Sequence, residues 1–329
     1  ETTTGLALPI ELGGKRSARI AVADSRRDRA RIEAAIVEAD LRERVTMAYV
    51  AAVSAERRVA VARQLAEFAN RGFSAASTRV TAGAASPIEQ QRADVERVNA
   101  NVAFDRAVRE AVVAKENLAR LIGEPIAGEL DVAWFDRVGT YGPAVPVSAQ
   151  GTLIIAAAEA DVTTADALVR LARSQRVPDV TLNAGARRLS ASGDTAAIFG
   201  LSIPFPLFNN GRAAVSQAES ERLQVDARRR VTLLETEQTI ASVQAELANA
   251  AASARAAGGP ALSAATEAAR IARIGYAQGR FSQLDLLVAE RTLADTNGAF
   301  VDALVAYHDA EARLARLTVP APVIAETPQ

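Results

Sequence analysis

The sequence predicts a mainly α protein with a small β part, built from long antiparallel helical hairpins and carrying an internal two-fold repeat. Three observations predict it. First, a shift of 195 places lays Gly5-Leu6-Ala7-Leu8-Pro9 on Gly200-Leu201-Ser202-Ile203-Pro204, and Ile20, Ala23 and Asp24 on Val215, Ala218 and Glu219. After one inserted residue, a shift of 196 lays Gly83 and Ser86 on Gly279 and Ser282, Glu89 on Asp285, and Leu118-Ala119-Arg120-Leu121 on the identical Leu314-Ala315-Arg316-Leu317. Second, apolar residues recur every three or four places in a proline-free run from Lys15 to Val80, the mark of an amphipathic helix. Third, aromatic residues make up only 4%, which favours helices with small-residue contacts over a thick globular core. A duplicated unit of this kind is architecture rather than one asymmetric catalytic pocket.

The elements follow in order. Repeat 1 covers residues 1–122. Its strand, 5–12, puts Leu6, Leu8 and Ile10 on one side and Gly5, Ala7 and Pro9 on the other. Gly13 and Gly14 end it, and a helix over 15–80 would be about 100 Å long at 1.5 Å per residue, so it needs partner helices along its length. A tip turn at 81–86 contains Gly83. Ser86 then caps a helix over 87–122, with Pro87 at its first position and Glu89 three after the cap. Residues 123–150 read as an irregular connector around Trp134. Repeat 2, 151–318, begins with a helix over 151–177. Strands follow at 180–189 and 198–207, the second placing Phe199, Leu201, Ile203 and Phe205 on one face. That alternation suits a strand with lipid outside and water inside, and equally a half-buried soluble sheet. A long helix over 211–278, with a kink or break at Gly258-Gly259-Pro260, leads to a tip turn at 279–282 and a last helix over 283–317. The proline-bearing tail, 319–329, is expected to be disordered. Because repeat 2 opens with a helix and a strand that repeat 1 lacks, an equivalent pair is expected upstream.

Several function classes drop out on composition. A formal charge of −1 gives no basic surface for nucleic acid, and the absence of cysteine removes disulfides and thiolate metal sites. No apolar run approaches the roughly 18 residues of a spanning helix, so a membrane crossing would have to use strands. His308, the one histidine, sits at helical spacing from Val301 and Leu304 as a packed or interfacial residue rather than a catalytic or metal-binding one. No catalytic, cofactor or metal site is expected.

Pro9-Ile10-Glu11-Leu12-Gly13-Gly14-Lys15-Arg16, Pro204-Phe205-Pro206-Leu207-Phe208-Asn209, and Gly275-Tyr276-Ala277-Gln278-Gly279 followed by Leu284-Asp285-Leu286-Leu287 together resemble the TolC family of outer-membrane efflux channels. The Glu-Leu-Gly-Gly-Lys-Arg run is most similar to its heavy-metal (CzcC/CusC-like) branch. The resemblance implies a homotrimer in the outer membrane of a Gram-negative bacterium, with strands in one shared transmembrane β-barrel and helices in a periplasmic α-barrel. It also implies a periplasmic adaptor and an inner-membrane pump of the resistance-nodulation-division type as partners. Four strands per protomer would close a twelve-strand barrel, and this chain shows three. The lipid-facing set would be Leu6, Leu8, Phe199, Leu201, Ile203 and Phe205.

By the family pattern the turns at Gly83 and Ser86, and at Gly279 and Ser282, form the periplasmic tip. Three copies of Asp285 would then ring a constriction and favour cations. Alternatively, Asp285 and Glu89 only complete capping boxes with Ser282 and Ser86. Tyr276 matches the family tyrosine that helps latch the tip. Arg280 lies one place from the family's tip arginine, and Val288 stands where its second aspartate would be. A periplasmic adaptor and a soluble coiled-coil scaffold are the rival readings. The first lacks its β-rich domains here, and the second predicts no matching apolar strands.

Overall fold

The computed structural model describes residues 1–139, 147–190, 193–205 and 209–322. The elements are β1 (Thr2–Ile10), α1 (Lys15–Thr81), α2 (Pro87–Ile122), a short α3 (Val132–Phe135), α4 (Leu153–Ser174), β2 (Val180–Arg188), β3 (Thr195–Ser202), α5 (Arg212–Ala256), a π turn (Ala257–Ala261), α6 (Leu262–Ala277) and α7 (Gln283–Leu317). They fall into two units, Glu1–Glu38 with Ser148–Gln238 and the segment from Val319, and Ala39–Val147 with Thr239–Thr318.

In the first unit β1, β2 and β3 form an antiparallel sheet in that order. The register stacks Leu6 on Ala184 and Phe199, and Leu8 on Leu182 and Leu201, so their alternation becomes one continuous apolar face. On the other face Ala7, Asn183 and Gly200 align, as do Pro9, Thr181 and Ser202. Gly5 and Gly185 are paired because the strands pass closely there: a Cβ on Gly185 would lie 2.7 Å from the Thr4 carbonyl oxygen. The strands lie nearer their hairpin end than the alternation suggests. β1 takes in Thr2–Thr4 because these pair with Ala186–Arg188, and β3 starts at Thr195 for the same reason. β3 stops at Ser202, ahead of Pro204, which has no N–H to donate to a ladder. Ile203 and Phe205 therefore lie outside it, and the proposed strand residues 206 and 207 fall outside the described residues.

Below the strands the unit is held by α4, which turns Leu153, Ile155, Ala165, Ala167 and Val169 inward. Ion pairs flank it, Arg29 to Asp161 at 2.8 Å, Arg173 to Glu219 at 2.6 Å and Arg222 to Asp166 at 2.6 Å. The start of the tail is ordered, contrary to expectation. Val319 accepts from the Leu153 N–H at 3.1 Å and Ala321 donates to Gly151 at 2.8 Å, because α4's first residues need partners that no preceding helical turn supplies.

In the second unit α1 and α2 meet along alanines, with Ala66, Ala69 and Ala100 in one buried cluster beside Leu65 and Phe104. Small side chains allow this close approach, which is where the alanine-rich composition is used. The principal core gathers Val50, Val53, Leu118, Leu130, Phe135, Ala254, Val301 and Leu304. The connector contributes α3, in which the Asp131 carboxylate accepts from the Trp134 N–H at 2.9 Å, and the Tyr49 hydroxyl accepts from Asp131 at 2.8 Å. His308 is buried there: its ring stacks on Trp134 at 4.3 Å and its Nε2 lies 2.9 Å from the Phe135 carbonyl oxygen. The local break expected at Gly258-Gly259-Pro260 lies between α5 and α6. The extra residue is absorbed as a π turn in which the Leu262 N–H reaches the Ala257 carbonyl.

Candidate membrane face and helical tips

The sheet and the tips belong to different units, and each is built from its own residues. At the base of the sheet the Gly13-Gly14 pair has φ of 70° and 72°. A Cβ on Gly13 would meet Val177 at 2.6 Å, so the sharp turn from β1 into α1 needs glycine there. Asp179 ties the turn together. It accepts from Lys15 Nζ at 2.6 Å and from the Leu12 N–H at 3.2 Å, and these bonds hold its carboxyl below the ordinary value. Glu11 pairs with Arg19 at 2.7 Å. The glycine-rich motif is thus a joint between strand and helix.

Above this joint the apolar rows are bare. Leu6 is 83% exposed, Phe199 82% and Phe205 83%, while Leu8, Leu201 and Ile203 all exceed half. At about 25 cal/mol per Å², so much aliphatic and aromatic surface is costly to leave in water. The opposite face, with Thr181, Asn183 and Ser202, suits water. No helix among the described residues is long and apolar enough to cross a membrane.

At the tips the two repeats share one backbone design. Gly83 and Gly279 have φ of 71° and 70°. The Ala84 N–H returns to Arg79 at 2.8 Å as the Arg280 N–H returns to Gly275 at 2.8 Å, an equivalence of 196 places. The caps differ. Ser282 and Asp285 form a complete box, the Asp285 N–H donating to Ser282 Oγ at 3.2 Å and the Ser282 N–H to Asp285 Oδ2 at 2.9 Å. The Ser282 hydroxyl and its backbone N–H lower the Asp285 carboxyl below its ordinary value. Ser86 has the extended backbone of a cap but makes no side-chain cap bond, so the box with Glu89 does not form. The Glu89 carboxylate instead stands 3.9 Å from Arg79, a cation that repeat 2 replaces with Gly275.

Arg79 is the tip residue that the sequence reading missed. Its Nη1 donates to Tyr276 Oη at 3.0 Å with the guanidinium 5.8 Å from the ring centroid, so it joins the ends of α1 and α6. A basic residue in a helix's last turn reads as ordinary dipole compensation, which hid this role. Among the described residues the Arg280 side chain has no polar partner, and Val288 is exposed. Phe281 covers Gly275, where a Cβ would come within 2.3 Å of the ring. One turn further in, Arg273 donates from Nε and Nη2 to the two oxygens of the buried Glu290 carboxylate, the Nη2 bond being 2.8 Å. Glu290 interrupts the apolar stripe of Leu286 and Leu293, the one signal of this pair in the sequence.

One chain thus combines a sheet with an uncovered apolar face and duplicated long helical hairpins, the two parts of an outer-membrane channel of the kind that joins strands to helices. The profile described as outer membrane efflux protein matches residues 1–124 and 149–318, and the chain belongs to that family. It is 32% identical over 308 residues to the cobalt-zinc-cadmium resistance protein CzcC of Cupriavidus metallidurans, covering 89% of this chain and 71% of that one. It is 28% identical over 244 residues to the nickel-cobalt-cadmium resistance protein NccC of Alcaligenes xylosoxydans xylosoxydans, covering 70% and 55%. Its fold matches the crystal structure of CusC with a TM-score of 0.80 at 18% identity, over 97% of this chain and 78% of that one. The protein is therefore an efflux channel of the outer membrane, close to heavy-metal resistance proteins, and neither an adaptor nor a scaffold.

Proposed function

We propose that the protein is the outer-membrane component of a tripartite efflux system that carries divalent heavy-metal cations out of a Gram-negative cell. It works as a homotrimer with the helices extending into the periplasm. A periplasmic adaptor and an inner-membrane resistance-nodulation-division pump supply contact and energy, and the channel itself is passive, with no catalytic step. The observation that carries this reading is the bare apolar face of the sheet beside a polar one, on strands of nine, nine and eight residues, close to the length that crosses the hydrocarbon layer. Similarity to proteins named for cobalt, zinc, cadmium and nickel resistance supports the cargo.

In this reading the tips are the periplasmic entrance. Asp285, whose carboxyl is held ionised by its cap, is the cation-favouring ring, and capping and selection are then two uses of one charge. Arg79 and Tyr276 clamp α1 to α6 within a protomer, and Glu89 draws on the same guanidinium. Arg280 is free to meet a neighbouring protomer.

The first test is oligomeric state. Expressed in a Gram-negative host and extracted from the outer membrane, the protein should be a detergent-requiring trimer. A water-soluble monomer or dimer would overturn the reading. In planar bilayers Asp285→Asn should lower cation preference, and unchanged selectivity would leave Asp285 as a cap alone.

A further inference from the structure

A cleft at the foot of the sheet, within the first unit, carries charge and donors that the joint itself does not use. It has a volume of about 450 Å³, and its wall includes Lys15, Arg176, Asp179, Phe205, Asn209 and Asn210. Arg176 is fixed at its stem and free at its tip. A Cβ on Gly211, which has φ of 71°, would come within 2.8 Å of the Arg176 Cγ, so the stem lies across that glycine. The Arg176 Nε donates to the Asn210 carbonyl oxygen at 3.3 Å, and neither Nη has a polar partner among the described residues. The side-chain oxygens of Asn209 and Asn210 accept from the N–H groups of Gly211 at 3.0 Å and Arg212 at 3.2 Å, which leaves their amide nitrogens as spare donors. Asp179, the carboxylate among the lining residues, is already held by Lys15 and by the Leu12 N–H. Lys15 and Asp179 cancel, so Arg176 gives the wall one net positive charge. Spare donors around an unpaired guanidinium repel a cation and match a phosphate.

The cleft is also open to hydrocarbon. Phe205 lines it and is 83% exposed, and Ile203 and Leu201 continue the bare face away from it. A ligand that fits both parts has a phosphate at one end and an apolar chain at the other. We infer that the cleft binds the headgroup phosphate of an anionic phospholipid, with Arg176 as the principal contact and the acyl chains lying along Phe205 and Ile203. The inference rests on the channel reading, which sets the sheet in the outer membrane and the helices in the periplasm, so that the joint falls at the headgroups of the inner leaflet. A headgroup without an ammonium group is preferred because no carboxylate on the wall is left to receive one.

The test uses the protein extracted from the outer membrane in detergent and stripped of lipid. It is titrated with dioleoyl phosphatidylglycerol, dioleoyl phosphatidylcholine or inorganic phosphate, and bound lipid is counted by native mass spectrometry. Phosphatidylglycerol should fill one tight site per chain, and Arg176→Gln should weaken that site about tenfold through loss of a charge-assisted contact. Arg187→Gln, which removes the same charge near the opposite end of β2, should leave it unchanged. Gln175→Glu keeps the Arg176 contacts at Gly211, guards against a variant that fails to fold, and should weaken the site by adding a negative charge to the wall. Equal binding of phosphatidylcholine, displacement of the lipid by millimolar inorganic phosphate, or unchanged affinity in both cleft variants would overturn the inference. Flotation with liposomes separates it from the reading beneath it. A protein that floats but lacks this site refutes the lipid site alone, whereas one that does not float refutes the channel reading and the lipid site with it.

Discussion

Replacing Arg273 with alanine strips the buried Glu290 carboxylate of both its partner bonds, and the cost can be worked from the geometry. The Glu290 side chain is 7% exposed and that of Arg273 is 53% exposed. An exposed pair is worth about 0–1 kcal/mol. Breaking a fully buried one costs roughly 3–5 kcal/mol because a charge stays behind in low dielectric. Here the charge left behind is the buried partner, although water already reaches the guanidinium. About 2 kcal/mol is therefore expected for Arg273→Ala, which is roughly a 30-fold faster exchange of α7 amides near Glu290 when the open-state population governs exchange. Arg273→Ala combined with Glu290→Leu should recover most of this, because a buried apolar residue leaves nothing unpaired. The refuting result is less than threefold acceleration in the single variant, or no recovery in the double. Either would mean that the pair behaves as a surface contact and does not hold α6 to α7.

The remaining predictions concern the sheet, its joint and the cap. Phe199→Arg should cost about 2–4 kcal/mol if that face meets the hydrocarbon mid-plane. It should lower the fraction that floats with liposomes, whereas Asn183→Ala on the opposite face should not. Gly13→Ala should destabilise by about 3 kcal/mol, since left-handed backbone costs roughly 1–2 kcal/mol and the Val177 clash adds to it. Gly279→Ala, with open space around its Cβ, should cost only about 1 kcal/mol in urea unfolding followed by circular dichroism. The Asp285 carboxyl is depressed in the folded state, so the cap's contribution is complete above the ordinary value of 3.8 and is lost as pH falls through the lower folded value. Corrected for intrinsic chemistry, exchange at the first turn of α7 should rise only in that acid window, and Asp285→Asn should abolish the dependence.

Much of the fold was legible because it is periodic. Alternation at Leu6, Leu8 and Ile10 and spacings of three and four along α1 are written residue by residue, and duplication repeats each signal. Boundaries were less legible. Thr2–Thr4 and Thr195–Ala197 become strand only because each finds a partner across the sheet, and pairing between segments far apart in sequence has no local mark. The same holds at the tips. Ser86 and Ser282 look alike in sequence, yet only Ser282 completes a box, because Glu89 has Arg79 within reach and Asp285 has no such competitor.

By itself the sequence determined the two-fold plan, the helices and their turns, the apolar strand face and the absence of a spanning helix, because each depends on local period, on glycine and proline stereochemistry, or on composition. Tertiary structure decided which charges meet. Arg120 and Arg316 stand in identical Leu-Ala-Arg-Leu runs, but the first is 70% exposed and the second, paired with Asp40, is 12% exposed. It also decided that the inserted residue becomes a π turn, that Gly258 must stay small beneath Phe300, and that Arg79 reaches Tyr276. These depend on the distance between side chains brought together by packing, a quantity that spacing along one chain does not contain.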